Sequence, residues 1–314
     1  MQQKLTWLGT LLLLGISLVT LLGFLADYAF LFDIVAHFRL QYAGMLGACL
    51  LLFALLRKQG LFWITAGMLV INLSLVIPYY WPNPTTNLTT LGVPVKMLLM
   101  NVLSSNTNTA AVCSQVTRFE PDILVLEEIT PRWFAALAGL ATHYPYQLHA
   151  VRDDNFGIWV LSKYPVSDKE IVPWGPRRLP SATLRFLVGQ RYVRLIAMHP
   201  IAPVSPEGFR WRNGQLRAIA QRYKTSDDPL VVIGDINTTS FVPVFSEFAQ
   251  TLHLEDSRQG FGLQGSWPAW SFNPFMITLD HCLVSEGTRV IRREVGNYVG
   301  SDHLPVYVEL VPPD

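Results

Sequence analysis

Hydrophobic residues divide the chain into an apolar first quarter and a mixed remainder. Within residues 1–82 they form three long stretches, at about 5–25, 40–56 and 61–80. Each stretch is close to the roughly 20 residues with which an α-helix crosses about 30 Å of hydrocarbon. The pattern therefore predicts a membrane module of about three helices, which contacts the lipid bilayer through residues 5–80.

The second stretch is the shortest of the three. Asp33, His37 and Arg39 stand just before it and leave only about 17 uncharged residues, which is the lower limit for a span. A helical hairpin that enters one leaflet is therefore an alternative to a full crossing.

Basic residues in the short loops predict the orientation of the module. Arg57 and Lys58 lie between the second and third stretches, whereas Arg39 is the only Lys or Arg between the first and second. The positive-inside rule places Arg57 and Lys58 in the cytoplasm, together with the N-terminus. The prediction is a bacterial inner-membrane protein whose remaining chain faces the outer, periplasmic side.

The remainder of the chain has the pattern of a folded domain. A polar, proline-broken linker at residues 83–94 precedes residues 95–314, which alternate short apolar runs with longer amphipathic ones. The apolar runs predict strands in sheets that are covered on both faces, and the alternation predicts a layered α/β fold. We expect strands at about 95–100, 122–126, 192–198, 230–233 and 304–310, and helices near 107–119, 132–140, 209–224 and 242–252.

Polar residues occur where the predicted strands begin or end. A rigid sheet fixes the spacing of its terminal side chains, so residues far apart in sequence converge on one pocket. The positions therefore predict a single site. Its members are Glu128, His199, Asp235-Ile236-Asn237, Asp280 and Ser301-Asp302-His303.

The residue types suit the cleavage of a phosphate ester. This reaction needs negative charge to be neutralised, a water molecule to be oriented and a proton to reach the leaving oxygen. Glu128, and Asn101 at the end of the first strand, offer oxygen ligands for Mg²⁺ or Mn²⁺. A solvated acid at a strand end is the alternative for Glu128, but a doubled acid after an apolar run favours a ligand. The sequence predicts a metal-assisted phosphoesterase.

The other members of the set supply water orientation and proton transfer. Asp235 and Asn237 share one face of an extended segment, so one side chain can orient or deprotonate water while the other donates its amide to phosphate. A turn that caps the next segment is the structural alternative for this pair. His199 and His303 titrate near neutral pH, and Asp280 is the expected partner of one imidazole.

Seven segments carry these residues in a fixed order: MLLMN (97–101), DILVLEE (122–128), GIWVLSKYP (157–165), HP (199–200), GDIN (234–237), LDH (279–281) and SDHLPV (301–306). The ordered set resembles the endonuclease/exonuclease/phosphatase superfamily, which includes DNase I-like nucleases, abasic-site endonucleases, neutral sphingomyelinases and inositol polyphosphate 5-phosphatases. The resemblance covers about residues 95–310 and looks like that of the membrane-anchored bacterial branch. It implies a four-layer α/β sandwich, in which two packed, mainly antiparallel or mixed β-sheets are flanked by helices.

The resemblance also implies roles for individual residues. Asp280 is expected to orient His303, while His199 contacts the phosphate or protonates the leaving group. Glu127 stands where the family commonly has Gln, which adds a charge beside the metal site. The implied ligands of Mg²⁺ or Mn²⁺ are Asn101, Glu128 and Asp302, and the implied catalytic residues are His199, Asp235, Asn237, Asp280 and His303.

Charge is nearly balanced along the chain. The 24 Lys and Arg residues face 23 Asp and Glu residues; residues 1–82 hold four and two of these, which leaves 20 and 21 for the remainder. This is not the balance of a dedicated duplex binder. The stretch 177–222 is different, because it contains nine arginines and Glu207 is its only acid. If these arginine side chains converge, they form an anion-facing surface. Solvated helix and strand faces are the alternative for most of its arginines, which are Arg177, Arg178, Arg185, Arg191, Arg194, Arg210, Arg212, Arg217 and Arg222.

The leading prediction of function is a membrane-anchored, Mg²⁺-dependent nuclease that cleaves DNA or RNA as an endonuclease or exonuclease. The membrane tether and the aromatic segment 267–275 favour an alternative, a phospholipid- or sphingomyelin-type phosphodiesterase or a phosphoinositide-type phosphatase. A catalytically silent, membrane-held binding protein is an alternative of another class. The chain has no P-loop, no serine-hydrolase elbow and no zinc motif, so those chemistries are unsupported.

Overall fold

The first helices have the length and composition of membrane spans. The computed structural model describes residues 1–81, 92–270 and 273–313, so most of the predicted linker 83–94 and part of the segment 267–275 lie outside the described residues. Helices α1 (Gln2–Leu22) and α4 (Gln59–Val76), each continued by a 3-10 turn, are long and apolar enough to cross a membrane. Between them, α2 (Phe30–Ala36) and α3 (Arg39–Leu55) meet at a 65° bend. This bent pair is a third span only if it crosses as one unit.

The remainder of the described chain forms two β-sheets with helices on their outer faces. The helices are α5 (Thr109–Phe119), α6 (Pro131–Ala136), α7 (Pro206–Tyr223) and α8 (Pro243–Thr251). The strands are β1 (Val95–Asn101), β2 (Ile123–Glu127), β3 (Tyr146–Ala150), β4 (Ile158–Ser162), β5 (Val166–Trp174), β6 (Leu179–Val188), β7 (Arg191–Met198), β8 (Leu230–Asp235), β9 (Leu254–Asp256), β10 (Asp280–Ser285), β11 (Arg289–Val295) and β12 (Val306–Val311).

Both sheets are mixed. Within the described residues the first has the order β11-β12-β1-β2-β4-β3, and the second has the order β5-β6-β7-β8-β10-β9. The β1–β2 and β7–β8 pairs are parallel, and the other neighbours are antiparallel. This is the arrangement of two packed sheets flanked by helices that the family resemblance implies.

Buried apolar residues hold the layers together. Met97 and Phe186 belong to the cluster between the two sheets. Trp133 of α6 packs on the outer face of the first sheet, while Leu216 of α7 and Phe248 of α8 pack on the outer face of the second. Because the central strands are covered on both faces, their sequences are apolar throughout instead of alternating.

The strand register brings the polar signatures to one edge. Asn101 at the end of β1 lies opposite Glu127 at the end of the parallel strand β2. In the second sheet, Asp280 at the start of β10 lies opposite Asp235 at the end of β8. The two sheets are joined there, because the main-chain N–H of Asp235 donates to Oε2 of Glu127 at 3.0 Å.

The membrane module packs directly against the folded domain. Ala26 and Ala36 belong to the apolar cluster beneath α7 and α8. Asp33 of α2 forms a buried ion pair with Arg212 of α7, with 2.6 Å between Oδ1 and Nη2. His37 Nδ1 lies 3.0 Å from the Thr239 hydroxyl. The division into a module (1–82), a linker (83–94) and a catalytic domain (95–314) stays a prediction. The described residues of the module and of the domain share a packed interface.

Gly234 has room for no side chain at the junction of the two sheets. Its φ is 156°, and an added Cβ would lie 1.9 Å from the Met198 carbonyl oxygen and 2.7 Å from Glu127 Oε1. We expect Gly234→Ala to lower the free energy of unfolding by roughly 2–6 kcal/mol, from backbone strain and overpacking together. The apparent melting temperature of the full chain in detergent measures the effect. Gly214→Ala is the matched control, because Gly214 is exposed in α7 with open space around it; equal melting temperatures for the two variants would contradict the prediction.

Candidate active site

Asp235 lies at the centre of the polar cluster. It is 1 % exposed, and its Oδ2 lies 3.4 Å from Nε2 of His199 and 3.4 Å from Nε2 of His303. Burial opposes ionisation, but the charge of His303 and the hydrogen bond from His199 outweigh it and lower the pKa of Asp235 to about 2. One carboxylate therefore joins two histidines from different parts of the chain.

The two histidines are charged by their acidic neighbours. Burial alone would lower both pKa values, but the charges of Asp280 and Asp235 raise the pKa of His303 to about 10. The hydrogen bond and charge of Asp235, with the nearby glutamates, likewise overcome burial and raise the pKa of His199 to about 9. Nδ1 of His303 is 2.8 Å from Oδ2 of Asp280. Asp280 thus orients the His303 ring, whose Nε2 faces Asp235.

Asn237 is fixed by contacts on three sides. Its backbone is left-handed, with φ 53°. Its main-chain N–H donates to Oδ1 of Asp235 at 3.0 Å, and its side-chain amide donates to the Pro200 carbonyl at 3.0 Å. Its carbonyl accepts a hydrogen bond from Nη1 of Arg212 at 3.1 Å. The turn that was the structural alternative for Asp235 and Asn237 is present, yet both side chains also line the cavity described below.

Glu128 and Asn101 form a second polar pair beside Asp235. The Asn101 amide donates to Oε1 of Glu128 at 3.1 Å and lies 3.4 Å from Oδ2 of Asp235. The main-chain N–H of Ser104 donates to Oε2 of Glu128 at 2.8 Å, and that of Leu103 donates to Oδ1 of Asn101 at 3.1 Å. Main-chain donors thus hold both side chains in fixed orientations at the strand ends.

The oxygen atoms of this region suit a hard divalent cation. Asp302 lines the same cavity as Glu128; its Oδ2 accepts from Nε1 of Trp267 at 3.2 Å, while its buried Oδ1 has no hydrogen-bond partner. Among the described residues no group of three or more His, Cys, Asp or Glu side chains is arranged to hold a metal. The donors fit Mg²⁺ or Mn²⁺ only with few protein ligands, and Mg²⁺ commonly keeps several waters and binds substrate phosphate.

Glu127 behaves differently from the expectation drawn from its sequence. It is fully buried, and burial raises the pKa of its carboxyl group to about 8. Its Oε2 accepts the N–H of Asp235, and its Oε1 has no hydrogen-bond partner. Burial therefore favours the neutral form of this side chain, whereas the charge of His199 opposes it.

A cavity of about 520 Å³ opens over these groups. Six of the predicted site residues line it, whereas Asn101 and Asp280 do not; the six are Glu128, His199, Asp235, Asn237, Asp302 and His303. The lining also includes side chains of the membrane module. These are Ile34, His37 and Phe38, near the bend between α2 and α3.

Sequence reasoning missed the residues that the module brings to the site. Asp33 and His37 entered only as polar residues that shorten the second apolar stretch, and Arg212 only as one member of an arginine-rich stretch. The available signal was an acid and a histidine four residues apart between two apolar stretches, which is costly unless both find partners. The structure pairs Asp33 with Arg212, and Arg212 contacts Asn237.

Five of the nine arginines in the arginine-rich stretch form ion pairs with acidic side chains. Pairing to carboxylates leaves these guanidinium groups little capacity to attract a polyanion. The alternative of structural and solvated arginines is therefore favoured for them. The pairs are Arg185 and Arg194 with Asp168 and Asp228, Arg212 with Asp33, Arg217 with Asp27 and Glu247, and Arg222 with Glu170.

Comparison with known proteins identifies the family. Residues 98–303 match the model of the Endonuclease/Exonuclease/phosphatase family. No curated protein matches the chain.

Solved structures with similar folds cover the domain that carries the site. The structure of D. rerio TDP2 complexed with single-strand DNA product is 17 % identical, has a TM-score of 0.58, and covers 69 % of this chain and 98 % of its own. Truncated Caenorhabditis elegans TDP2 is 17 % identical, with a TM-score of 0.57 over 69 % of this chain and 98 % of its own. The human Nocturnin catalytic domain is 18 % identical, has a TM-score of 0.55, and covers 70 % of this chain and 96 % of its own. These likenesses confirm the predicted fold.

Removing the charge of Asp33 should lower the stability of the protein and loosen the segment that carries Asn237. Asp33→Asn leaves the buried guanidinium of Arg212 without its counter-charge, which we expect to cost roughly 3–5 kcal/mol and to loosen Asn237. We expect a lower apparent melting temperature and faster hydrogen exchange of the peptide that contains residues 234–239. Asp27→Asn is the matched control, because Asp27 contacts Arg217 at a partly exposed position of the same module. Unchanged exchange at residues 234–239 in Asp33→Asn would count against the role of Asp33.

The ionisation of Glu127 should make stability fall as pH rises. The unfolded carboxyl loses its proton near pH 4.5, whereas the folded one keeps it until about pH 8. The folded state therefore binds the extra proton between these values, and the free energy of unfolding falls by about 1.4 kcal/mol per pH unit across that window. Glu127→Gln should remove this contribution, measured as apparent melting temperature against pH in metal-free protein between pH 4.5 and 6.5, below the range where the raised pKa values of His199 and His303 add a fall of their own. Glu286→Gln, at an exposed position, should keep it; parallel curves for wild type and Glu127→Gln would refute the assignment.

Proposed function

The chain belongs to the endonuclease/exonuclease/phosphatase family, and on this premise we propose that it is a divalent-metal-dependent phosphodiesterase. The observation that carries the proposal is the buried Asp235 carboxylate with His199 and His303 at 3.4 Å, beside the Glu128–Asn101 pair. All of these side chains except Asn101 line one cavity. Together they provide an acid, a proton donor and oxygen ligands within one small volume.

Glu128, Asp302 and Asn101 are the residues that would hold the metal. The ion would supply charge neutralisation of the phosphate oxygens. The support in this chain is the unpartnered Oδ1 of Asp302 and the main-chain donors that fix Glu128. The identity of the ion as Mg²⁺ or Mn²⁺ is part of the proposal.

The remaining residues supply the proton chemistry of hydrolysis. Asp235 accepts a hydrogen bond from the attacking water and takes its proton as the new O–P bond forms. Asn237 has one amide N–H left for a phosphate oxygen after its bond to Pro200. The charged imidazole of His199 gives a proton to the leaving oxygen as the old P–O bond breaks, while Asp280 holds His303 in place. The net reaction adds one water and yields a phosphate monoester and an alcohol.

A nucleic acid strand is the candidate substrate that the comparisons support. One similar fold is that of a protein solved with a single-strand DNA product. We propose DNA or RNA as the first substrate to test, and both endonucleolytic and exonucleolytic cleavage are compatible with this candidate. We also propose that α1 and α4 anchor the protein in the bacterial inner membrane, with the catalytic domain on the outer side.

The test compares the full chain in detergent with three variants on two substrates. The substrates are supercoiled plasmid and bis(p-nitrophenyl) phosphate, a soluble diester without bases. We expect Mg²⁺- or Mn²⁺-dependent hydrolysis that chelation abolishes and metal restores. Asp235→Ala and His199→Ala should lower the rate at least 100-fold, since each removes a proton-transfer group. His149→Ala is the matched control at an exposed histidine and should stay within about twofold.

The outcomes separate the reaction from its substrate. Hydrolysis of the soluble diester without plasmid cutting would retain the phosphodiesterase and remove the nucleic acid candidate. Metal-dependent binding of inorganic phosphate without turnover of either diester would favour the silent binding protein. Equal rates for wild type and Asp235→Ala would identify a contaminating enzyme and reject the proposal.

A further inference from the structure

Beside His37, the membrane module contributes two apolar side chains to the wall of the cavity. Ile34 lies on α2 and Phe38 lies between α2 and α3; both are half-buried and line the cavity that contains His199 and Asp235. The module is held in this position by the buried Asp33–Arg212 pair. The wall therefore does not depend on a loosely attached helix.

Apolar residues of the domain extend this wall. Val204 is 82 % exposed at the rim, and Ile277 and Leu279 are each 8 % exposed deeper in the cavity. The residues described as lining the cavity include no Lys or Arg. A groove that tracks a nucleic acid backbone normally relies on such cations. This chemistry suits a ligand that carries hydrocarbon next to its phosphate.

The cavity lies where the candidate spans end. Helix α2 follows α1 after a short connection, and the Tyr79 carbonyl beyond α4 accepts N–H bonds from Gly260 and Gly262 of the domain at 3.0 and 2.8 Å. Leu31 of α2 is 65 % exposed, and Phe275, in the loop that contacts the first turn of α3, is 66 % exposed. Large apolar side chains are thus exposed both on the module and on the domain near the cavity. A bilayer that surrounds α1 and α4 would reach this level.

We infer that this wall binds the hydrocarbon part of a membrane lipid whose headgroup presents a phosphodiester to Asp235, His199 and His303. The inference rests on the proposed phosphodiesterase activity and replaces nucleic acid with a membrane lipid as the substrate class. The acyl portion stays against Ile34, Phe38 and Val204, and the phosphate reaches the polar side of the cavity. Hydrolysis adds one water across a P–O bond of this diester. The leaving group is the headgroup alcohol or the lipid alcohol.

A binding experiment tests the inference independently of turnover. The protein is the full chain with Asp235→Ala, in maltoside detergent with Mg²⁺, and the readout is isothermal titration. The two probes share one phosphodiester headgroup: dihexanoyl phosphatidylglycerol, and glycerophosphoglycerol, which lacks the acyl chains. We expect the acylated probe to bind at least tenfold more tightly. Phe38→Ser and Ile34→Ser should each reduce that ratio, because they remove apolar contact area.

Leu31→Ser is the matched control, since Leu31 lies on the same helix outside the cavity lining; it should leave the ratio unchanged. If a wall variant melts at a lower temperature, Val204→Ser gives the second test, because its exposed position is not needed for packing.

Equal affinity for the two probes would overturn the inference. Tighter binding of a single-stranded oligonucleotide than of the acylated probe would overturn it in favour of nucleic acid. Loss of turnover in every diester assay would instead reject the proposed function and leave this binding result standing.

Discussion

The site depends on keeping a charge on the buried carboxylate of Asp235. A carboxylate that is 1 % exposed stays ionised only beside positive charge, and His199 and His303 provide it at 3.4 Å each. One histidine follows β7 and the other precedes β12, so the charge balance at Asp235 links the two sheets. Glu127 reinforces this link from the first sheet by accepting the Asp235 N–H. Catalytic geometry and the packing of the two sheets therefore rest on the same few atoms.

The elements with uniform patterns could be predicted from sequence. The strand predicted at 192–198 is observed at Arg191–Met198, and the helix predicted at 209–224 is observed at Pro206–Tyr223. Its earlier start follows from the Ser205 side chain, which accepts the Gly208 N–H, with Pro206 in the first turn. Strands such as β5 and β11 were not predicted, because they are partly exposed and mix charged with apolar residues. Convergence of the polar signatures followed from their shared position at strand ends.

Two features of the site could not be predicted, because they depend on burial and on distant contacts. Asp33 and Arg212 are 179 residues apart, and no local pattern pairs a residue of a membrane hairpin with one in the middle of a later helix. Glu127 is an acid by residue type, but complete burial raises the pKa of its carboxyl group to about 8 and so favours its neutral form. Residue type gives the chemistry available to a side chain, whereas its environment selects the form that is present.

The N-terminal helices and the polar site are physically connected in this protein. Removing the module would expose the apolar surface that Ala26 and Ala36 cover, and would leave the Arg212 guanidinium without its carboxylate partner next to Asn237. It would also remove one wall of the cavity. A water-soluble enzyme could use the Asp235 centre without any of these contacts, since none of them supplies a reacting group. Their presence is best explained if the substrate is met at the membrane surface, where an apolar wall stabilises the part of the substrate that does not react.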